Sequence, residues 1–397
     1  MKLVLTVMVR DEADIIEAMI EHHLSQGVDL IIATDNGSVD GTREILESYR
    51  DTGRLILHHD PVHMKQQYST VTTMAREAYT DHGADWVINA DADEFWLPVN
   101  SAVTLHEAFS HIPQALQAFL VPVTDMTGLA ASSGSQLGRL NLRDGRSDEE
   151  LIATGLLAHS TPDAAHIGSA TVEVAQGNHF VSLQSCGDPD PDWAIEVLHL
   201  PWRSWEQYRR KVDNAGRAYE ASSNLSPSPN HHGMRDYRRL KEGVLLPFYL
   251  LRHPTQIEID IGVEDGTYVV ENRLSTLESR SVPDVMFEPS SENRNRQMGA
   301  AIASSEARQR TLEMQIEKLE ASAAETASTA IEDARSRAAL ERRIVDCNTQ
   351  ILVLEDTQAE LEEFAALLRA RHVVRLADEV SGLKSRINNV ISRIVKS

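Results

Sequence analysis

The sequence predicts a mixed, mainly parallel α/β sandwich over residues 1–290, its sheet flanked by helices, followed by a helical coiled-coil tail over residues 291–397. Three observations predict it. Apolar, β-branched runs alternate with segments of helical periodicity from Leu3 to Asp93. Polar or acidic turns follow successive strands, so they gather at one edge of a sheet. After about Ser290 the composition shifts to Ala, Glu, Arg, Gln and Leu, with almost no Gly or Pro until Gly382.

The run Leu3 to Val9 lacks polar alternation and reads as a buried parallel strand. From Glu12 to Gln26 the residues Ile15, Ile16, Met19, Ile20 and Leu24 fall on one helical face, and Gly27 stops the helix. A strand over Asp29 to Thr34 ends in Asp35-Asn36-Gly37-Ser38-Val39-Asp40-Gly41-Thr42, a polar glycine-bearing turn that leads into a helix over Arg43 to Tyr49. A third strand, Arg54 to His58, and a helix around Gln66 to Tyr79 bring the chain to the strand Trp86 to Ala90. This order is that of a nucleotide-binding α/β half-domain, whose ligands sit at the carboxyl ends of the strands.

Asp91-Ala92-Asp93-Glu94 closes that strand in an acidic turn. Two carboxylates separated by one small residue can reach one hard divalent cation, and Glu94 adds a third negative charge. A solvated acidic turn is the alternative. The pairs His22-His23, His58-His59 and His231-His232 invite a metal reading, but adjacent residues point in different directions, which makes them mostly solvated. Between Leu120 and Val181 short strands, Ala118 to Val123 and Ala170 to Val174, are separated by loop-rich stretches suited to substrate contacts. A strand from Ile195 then feeds a helix over Arg203 to Glu220, on which Arg203, Gln207 and Lys211 share a face. In the tail one heptad frame places Leu312, Leu319, Leu340, Cys347, Leu354, Leu361 and Leu368 at one core position and Ile316, Ala323, Ala330, Ile344, Ile351 and Ala365 at the other. Thr326, Asp333 and Arg337 break the seam, and Leu376 to Ile394 continue in a shifted frame.

A formal charge of −22 excludes nucleic acid and anionic membrane surfaces as partners, since both require a basic footprint. An anionic substrate then needs a metal or a local basic patch. Two distant cysteines give no disulfide framework, and no run reaches the ~20 apolar residues of a membrane span, so a cytoplasmic protein without a transmembrane segment is expected.

Arg10-Asp11-Glu12, Asp35-Asn36-Gly37-Ser38 with Asp40 and Thr42, Asp91-Ala92-Asp93-Glu94-Phe95, Gly177-Asn178-His179 and His199-Leu200-Pro201-Trp202-Arg203-Ser204 with Gln207, Lys211 and Gly216 together resemble the bacterial glycosyltransferase family 2, in its branch with a DxDEF motif. The resemblance covers roughly residues 1 to 280. It implies a GT-A fold, a nucleotide-sugar donor of UDP or GDP type, Mn²⁺ or Mg²⁺, and transfer to a glycan, lipid or protein acceptor, with inversion expected. By that resemblance Arg10, Glu12, Asp35, Asn36, Ser38 and Asp91 bind the donor, Asp35 through the base. Asp91, Asp93 and His199 hold the metal, and Arg203 and Lys211 grip the diphosphate. Leu156-Leu157-Ala158-His159-Ser160 departs from the pattern, lacking the flanking Lys and Arg, and so does the strand Phe119 to Met126. For the carboxylate that deprotonates the acceptor, Asp125 and Glu196 are the candidates. The tail is expected to join copies of the enzyme. A sugar-phosphate nucleotidyltransferase and a catalytically silent coiled-coil scaffold are the competing readings; Arg10-Asp11-Glu12 stands where the former would carry a glycine-rich phosphate loop.

Overall fold

The structure is a computed structural model that describes the chain except residues 62–66, 222–231, 276, 278–281, 329–333 and 370–397, and except the side chains of 221, 232, 233, 322–328, 334–339 and 364–369. It divides into two compact units. The first comprises Met1–Asp148, Ala158–Arg235 and Arg252–Pro289; the second comprises Glu149–Leu157, Asp236–Leu251 and Ser290–Ser397. The last boundary between them falls between Pro289 and Ser290, and the second unit also draws in two short segments from within the preceding sequence.

In the first unit the chain runs β1 (Leu3–Val9), α1 (Ile16–Ser25), β2 (Leu30–Asp35), α2 (Thr42–Arg50), β3 (Leu55–His59), α3 (Gln67–Thr80), β4 (Trp86–Ala90), β5 (Glu94–Pro98), α4 (Leu105–His111), β6 (Ala118–Val121) and β7 (Val123–Thr127). It continues through β8 (Ala131–Ser133), β9 (Leu142–Asp144), α5 (Asp148–Ala153, which runs into the second unit), β10 (Asp163–Ile167), β11 (Ile195–His199) and α6 (Trp205–Ala221). A six-stranded sheet has the order β3-β2-β1-β4-β10-β6, in which β3, β2, β1 and β4 are parallel and β10 and β6 alternate in direction. The chain thus winds from β1 through β2 to β3 on one side and returns to β4 on the other, and this switch point at the carboxyl ends of β1 and β4 is where such sheets open a crevice for ligands. β1 is buried on both faces: Leu3, Leu5, Val7 and Val9 pack with α1, Trp86 and Ile88, whereas Val4 packs with Ile32, Val87 and the α3 residues Val71, Met74 and Ala75. That explains its unbroken apolar sequence.

A second sheet has the order β5-β11-β7-β9, with a short strand Tyr268–Val270 beside β9 at its edge. The strand expected over Phe119 to Met126 is divided by Pro122, which has no N–H for a ladder. Residues before it join the first sheet as β6, residues after it join the second as β7, and the Pro122 carbonyl accepts the Val197 amide at 2.9 Å. The helix expected from Glu12 begins only at Ile16, because Asp11 takes a left-handed φ of 55° and the intervening residues form a turn on the Glu12 carbonyl. The strand expected over Ala170 to Val174 reduces to a single bridge between Val174 and Val181.

His22 and His23, expected in solvent, are buried instead. His22 donates through Nε2 to the Trp96 carbonyl at 2.8 Å; His23 donates through Nδ1 to the Met19 carbonyl at 2.8 Å and accepts the Trp96 amide at 3.2 Å through Nε2. Two neutral imidazoles therefore hold the backbone of β5. His58 and His59 remain partly exposed, His58 beside Glu77, and His231 lies outside the described residues.

In the second unit two further helices, α7 (His232–Lys241, its residues up to Arg235 in the first unit) and α8 (Leu245–Arg252, its last residue in the first unit), accompany long helices over Pro289–Ser328, whose first residue is in the first unit, and Ala334–Arg369. Leu151, Leu156, Phe248 and Ala303 form a small core, and Arg239 donates to the Gly155 carbonyl at 3.0 Å and to Glu306 at 2.8 Å. The predicted seam is used within the chain. Leu312 packs on Ile351 and Leu354, and Arg308 Nη1 lies 3.3 Å from Thr357 Oγ1, so rising numbers on one helix meet falling numbers on the other and the two run antiparallel. The pattern from Leu376 onward lies outside the described residues. Among the described residues no helix is long and apolar enough to cross a membrane, and both cysteines are free.

Burial depresses His22 to about 4. The unfolded imidazole, with an ordinary value near ~6.5, then binds a proton that the folded one refuses, so stability is lost as pH falls from about 6.5 towards 4. Thermal midpoints measured across that range are expected to decline on acidification, with a contribution on the order of 3 kcal/mol at most from His22. The His22→Gln variant, which keeps an amide donor for Trp96, should show a shallower decline; an unchanged slope would assign the acid sensitivity elsewhere.

Candidate functional site

The loops that leave β1 and β2 are tied to each other. The Asp11 amide donates to Ser38 Oγ at 3.1 Å, the Val39 amide to Asp11 Oδ1 at 2.8 Å, the Glu12 amide to Thr42 Oγ1 at 2.9 Å, and the Ala13 amide to Asp40 Oδ2 at 3.1 Å. Such short polar residues satisfy backbone donors that neither strand nor helix can use. Asp35, at the end of β2, accepts the Ser38 amide at 3.0 Å and lies 3.7 Å from His59 Nδ1. Asn36 donates to the Asp60 carbonyl at 2.9 Å, and Arg10 Nη1 caps the Asn36 carbonyl. Arg10, Asp35, Asn36 and Ser38 are thus gathered in one place.

From the far side of the crevice comes the turn between β4 and β5. The Asp91 amide donates to Glu94 Oε2 at 2.8 Å, and Asp91 Oδ1 accepts Gln67 Nε2 at 3.0 Å and Asn178 Nδ2 at 3.2 Å. Asp93, 1% exposed, is ion-paired through Oδ2 with the Lys211 ammonium and lies 3.5 Å from Arg203 Nη1 and 3.7 Å from His199 Nε2. Burial raises a carboxylate's pKa, and for Asp91 burial and the neighbouring Asp93 carry it upward. For Asp93 burial is outweighed by Lys211, His199 and Arg203, which hold it well below the usual range. Glu94, buried beside Asp163 and Asp91, is driven well above its ordinary value.

Arg203 does not lie on a helix face with Lys211, because α6 begins only at Trp205. It sits in the preceding loop and is fully buried, with its Nε donating to Asp14 Oδ2 at 2.7 Å, its Nη1 to the Leu200 carbonyl at 3.0 Å, and its Nη2 to Glu12. Every face of the guanidinium is occupied by protein, so the geometry gives it a structural task in place of the expected grip on a diphosphate. Glu12, also expected to touch the donor, is held by this pair; burial pushes it up to about 7 even beside Arg203. Lys211 keeps 37% of its side chain exposed and, unlike Arg203, faces outward.

The pairing of β11 with β7 puts His199 directly beside Asp125. Asp125 Oδ1 accepts His199 Nδ1 at 3.0 Å and Ser160 Oγ at 2.8 Å, while Oδ2 accepts the Ser160 amide at 3.1 Å and His159 Nδ1 at 3.2 Å. Both oxygens are occupied and the group is buried, and these hydrogen bonds hold it far below the carboxylate range in spite of burial. Asp125 is placed to orient His199, with Nε2 turned to Asp93, and has no free oxygen for an acceptor proton. Glu196, the other candidate for that role, lies three residues before His199 on the same strand and so faces the opposite side of the sheet. There it binds Arg143 at 2.8 Å and Arg273 at 2.6 Å, away from Asp91 and Asp93.

Asp14, Ser160 and Asp163 were not singled out by sequence, since each is an isolated polar residue without spacing that marks it. Asp163 opens β10, where the antiparallel register of Ala165 with Ile88 places it across from the end of β4. Its Oδ1 accepts His179 Nδ1 at 3.0 Å, and that hydrogen bond raises the imidazole's pKa.

The sequence profile of glycosyltransferase family 92 matches residues 6–120, which include the β1 and β2 loops and the Asp91–Asp93 turn but stop short of His199 and Lys211. The family expected by resemblance was family 2. No curated protein matches the chain. Among solved structures, S. aureus TarS 1-349 shares 13% identity over 67% of this chain and 74% of that one at a TM-score of 0.29, and the same fragment in complex with UDP shares 12% over 66% and 78% at 0.31. A mannose-1-phosphate geranyltransferase from Thermus thermophilus shares 14% over 69% and 75% at 0.24. These likenesses are too distant to assign an activity.

Removing one member of a buried ion network leaves its partners charged and unsolvated, which costs about 3–5 kcal/mol. Arg203→Met should therefore lower the urea stability of the protein by that amount, and Glu12→Gln, which leaves Asp14 to pair with Arg203, by less. Full stability in Arg203→Met would show that the guanidinium is free to serve a ligand.

Proposed function

We propose that the chain is a glycosyltransferase that takes a nucleotide-sugar donor, of UDP or GDP type, at the crevice between β1 and β4, and passes the sugar with inversion to a glycan, lipid or protein hydroxyl. The observation that carries this reading is the meeting of Asp93, from the turn after β4, with His199 at the end of β11 and Lys211 on α6, beside Asp91 in the same turn and with Asp35 at the carboxyl end of β2 in the same sheet. The family 92 profile, which spans the three aspartates, supports it.

A divalent cation fits the donor set. Among the described residues no three His, Cys, Asp or Glu side chains converge as a ready-made cage. Mg²⁺ and Mn²⁺ in nucleotide sites, however, take one or two protein ligands and complete their shell with water and phosphate. The Asp93 carboxylate and His199 Nε2, with His199 Nδ1 bonded to Asp125, would supply two such ligands and the carboxylate behind the imidazole that metal-binding histidines usually have. Bound there, the cation would neutralise the nucleoside diphosphate as it leaves. Asp91 is then available to the ribose, and Asp35 to the base. Lys211, the outward-facing cation, contacts the diphosphate and stabilises its growing charge.

Donor binding and consumption are expected to require Mn²⁺ or Mg²⁺ and to vanish in excess EDTA. Asp93→Asn should fold and lose most turnover. Lys211→Ala should weaken nucleotide affinity by about 1.5–3 kcal/mol, roughly 10- to 150-fold, in titration calorimetry. Undiminished consumption of a nucleotide sugar in EDTA would overturn the metal, and failure of a panel of UDP- and GDP-sugars to raise the thermal midpoint with Mn²⁺ would overturn the function itself.

A further inference from the structure

The reaction proposed above needs a group that removes the acceptor's proton, and neither Asp125 nor Glu196 is placed to do so. We propose that His179, backed by Asp163, is the catalytic base, so that the turn Gly177-Asn178-His179 forms the acceptor side of the site. This inference rests on the glycosyltransferase reading and adds a residue to it.

The turn is built for the purpose. Gly177 and Asn178 both take left-handed backbone angles, φ 79° and 63°, which reverse the chain within two residues. An added Cβ on Gly177 would come within 2.8 Å of His179 Nε2, so the imidazole folds back over a position that only glycine leaves open. Asn178 tolerates its conformation as few other residues do, and it is 1% exposed. Its backbone carbonyl accepts the Ala164 amide at 3.0 Å, which fastens the turn to β10, and its Nδ2 donates to Asp91 Oδ1 at 3.2 Å, which fastens it to the donor side. His179 Nδ1 in turn meets Asp163 Oδ1 at 3.0 Å. One residue of the turn thus touches the proposed ribose carboxylate while the next presents an imidazole.

Three histidines of this region are paired with a buried carboxylate, and they differ in what their second nitrogen faces. His159 has its Nε2 on the Arg146 carbonyl at 2.7 Å, and His199 has its Nε2 turned to Asp93. His179 meets its carboxylate through Nδ1, the Pro162 carbonyl adds a backbone hydrogen bond to the ring, Nε2 lies over Gly177, and 34% of the side chain is open to solvent. The other oxygen of Asp163 and the Oδ1 of Asn178 are buried without a hydrogen-bond partner among the described residues, which marks this corner as one whose polar groups are not all satisfied by the protein alone.

The step balances simply. The acceptor hydroxyl gives its proton to His179 Nε2 as its oxygen forms a bond to the anomeric carbon. The bond from that carbon to the diphosphate breaks, and its electron pair leaves with the nucleoside diphosphate. Asp163, a positioning residue, holds the imidazole in the Nδ1–H tautomer and stabilises the imidazolium that forms, as the aspartate of a Ser-His-Asp triad does.

The test uses the full-length chain with Mn²⁺ and UDP-glucose, UDP-N-acetylglucosamine and GDP-mannose, with water standing in for the acceptor. Binding is followed by calorimetry, and consumption by release of nucleoside diphosphate. His179→Gln and His179→Ala should keep donor affinity within about threefold and lose roughly 10²- to 10⁴-fold in turnover, the usual range for a general base. Added imidazole should restore part of the activity of His179→Ala and none of that of Asp93→Asn. Turnover within threefold of the parent, a loss explained by weaker donor binding, or a defect that imidazole leaves untouched would each overturn the assignment. A parent protein that consumes none of the donors would instead overturn the glycosyltransferase reading, and this inference with it.

Discussion

The guanidinium of Arg203 is the fixture on which the site depends. It binds Glu12 and Asp14 from the loop after β1, the Leu200 carbonyl from the end of β11, and lies beside Asp93 from the turn after β4. Three chain segments from two sheets therefore meet at one cation. A fully buried Arg is stable only when its charge is matched and its donors are filled, and here the matching groups are supplied by the segments that must be brought together. Lys could not replace it, because a single ammonium lacks the planar fork that reaches two carboxylates and a carbonyl at once.

Around that fixture the charges are sorted by partner. Arg203 compensates Glu12 and Asp14, while Lys211 and His199, both partly exposed, compensate the buried Asp93 and can be competed for by a ligand. Asp125 is saturated by Ser160, His159 and His199. A chain of net charge −22 thus holds positive charge at the one place where a diphosphate would need it, without a basic patch that composition would reveal.

Much of the first sheet was legible in the sequence because burial on both faces leaves a continuous apolar run, and the turns after β1, β2 and β4 announce themselves by their Asp, Asn, Gly and Ser residues. What sequence could not resolve was which polar residues are spent on each other. Arg203 and Lys211 stand eight positions apart and look alike on a helical wheel, yet one precedes the helix and is sealed in while the other projects. Asp125 resembled a base because it is a carboxylate on a strand near the site; its role became visible only once the β7–β11 register put it against His199. The heptad pattern marked Leu312, Ile351 and Leu354 as core positions, and these three pack together within the chain, which a repeat pattern does not distinguish from packing between chains.

Pro122 has a consequence for how this sequence tolerates change. Because the chain passes there from one sheet to the other, the alternation of side chains along β7 is counted from that point, and Asp125 faces His199 only by virtue of an interval fixed in parity. Gain or loss of a single residue between Pro122 and Asp125 would rotate the carboxylate onto the side of the sheet where Glu196 lies, whereas a change of two would preserve its direction and only slide it along the strand. Lineages of this chain should therefore vary in length within the loops flanking β6 and β7 far more freely than across the junction itself.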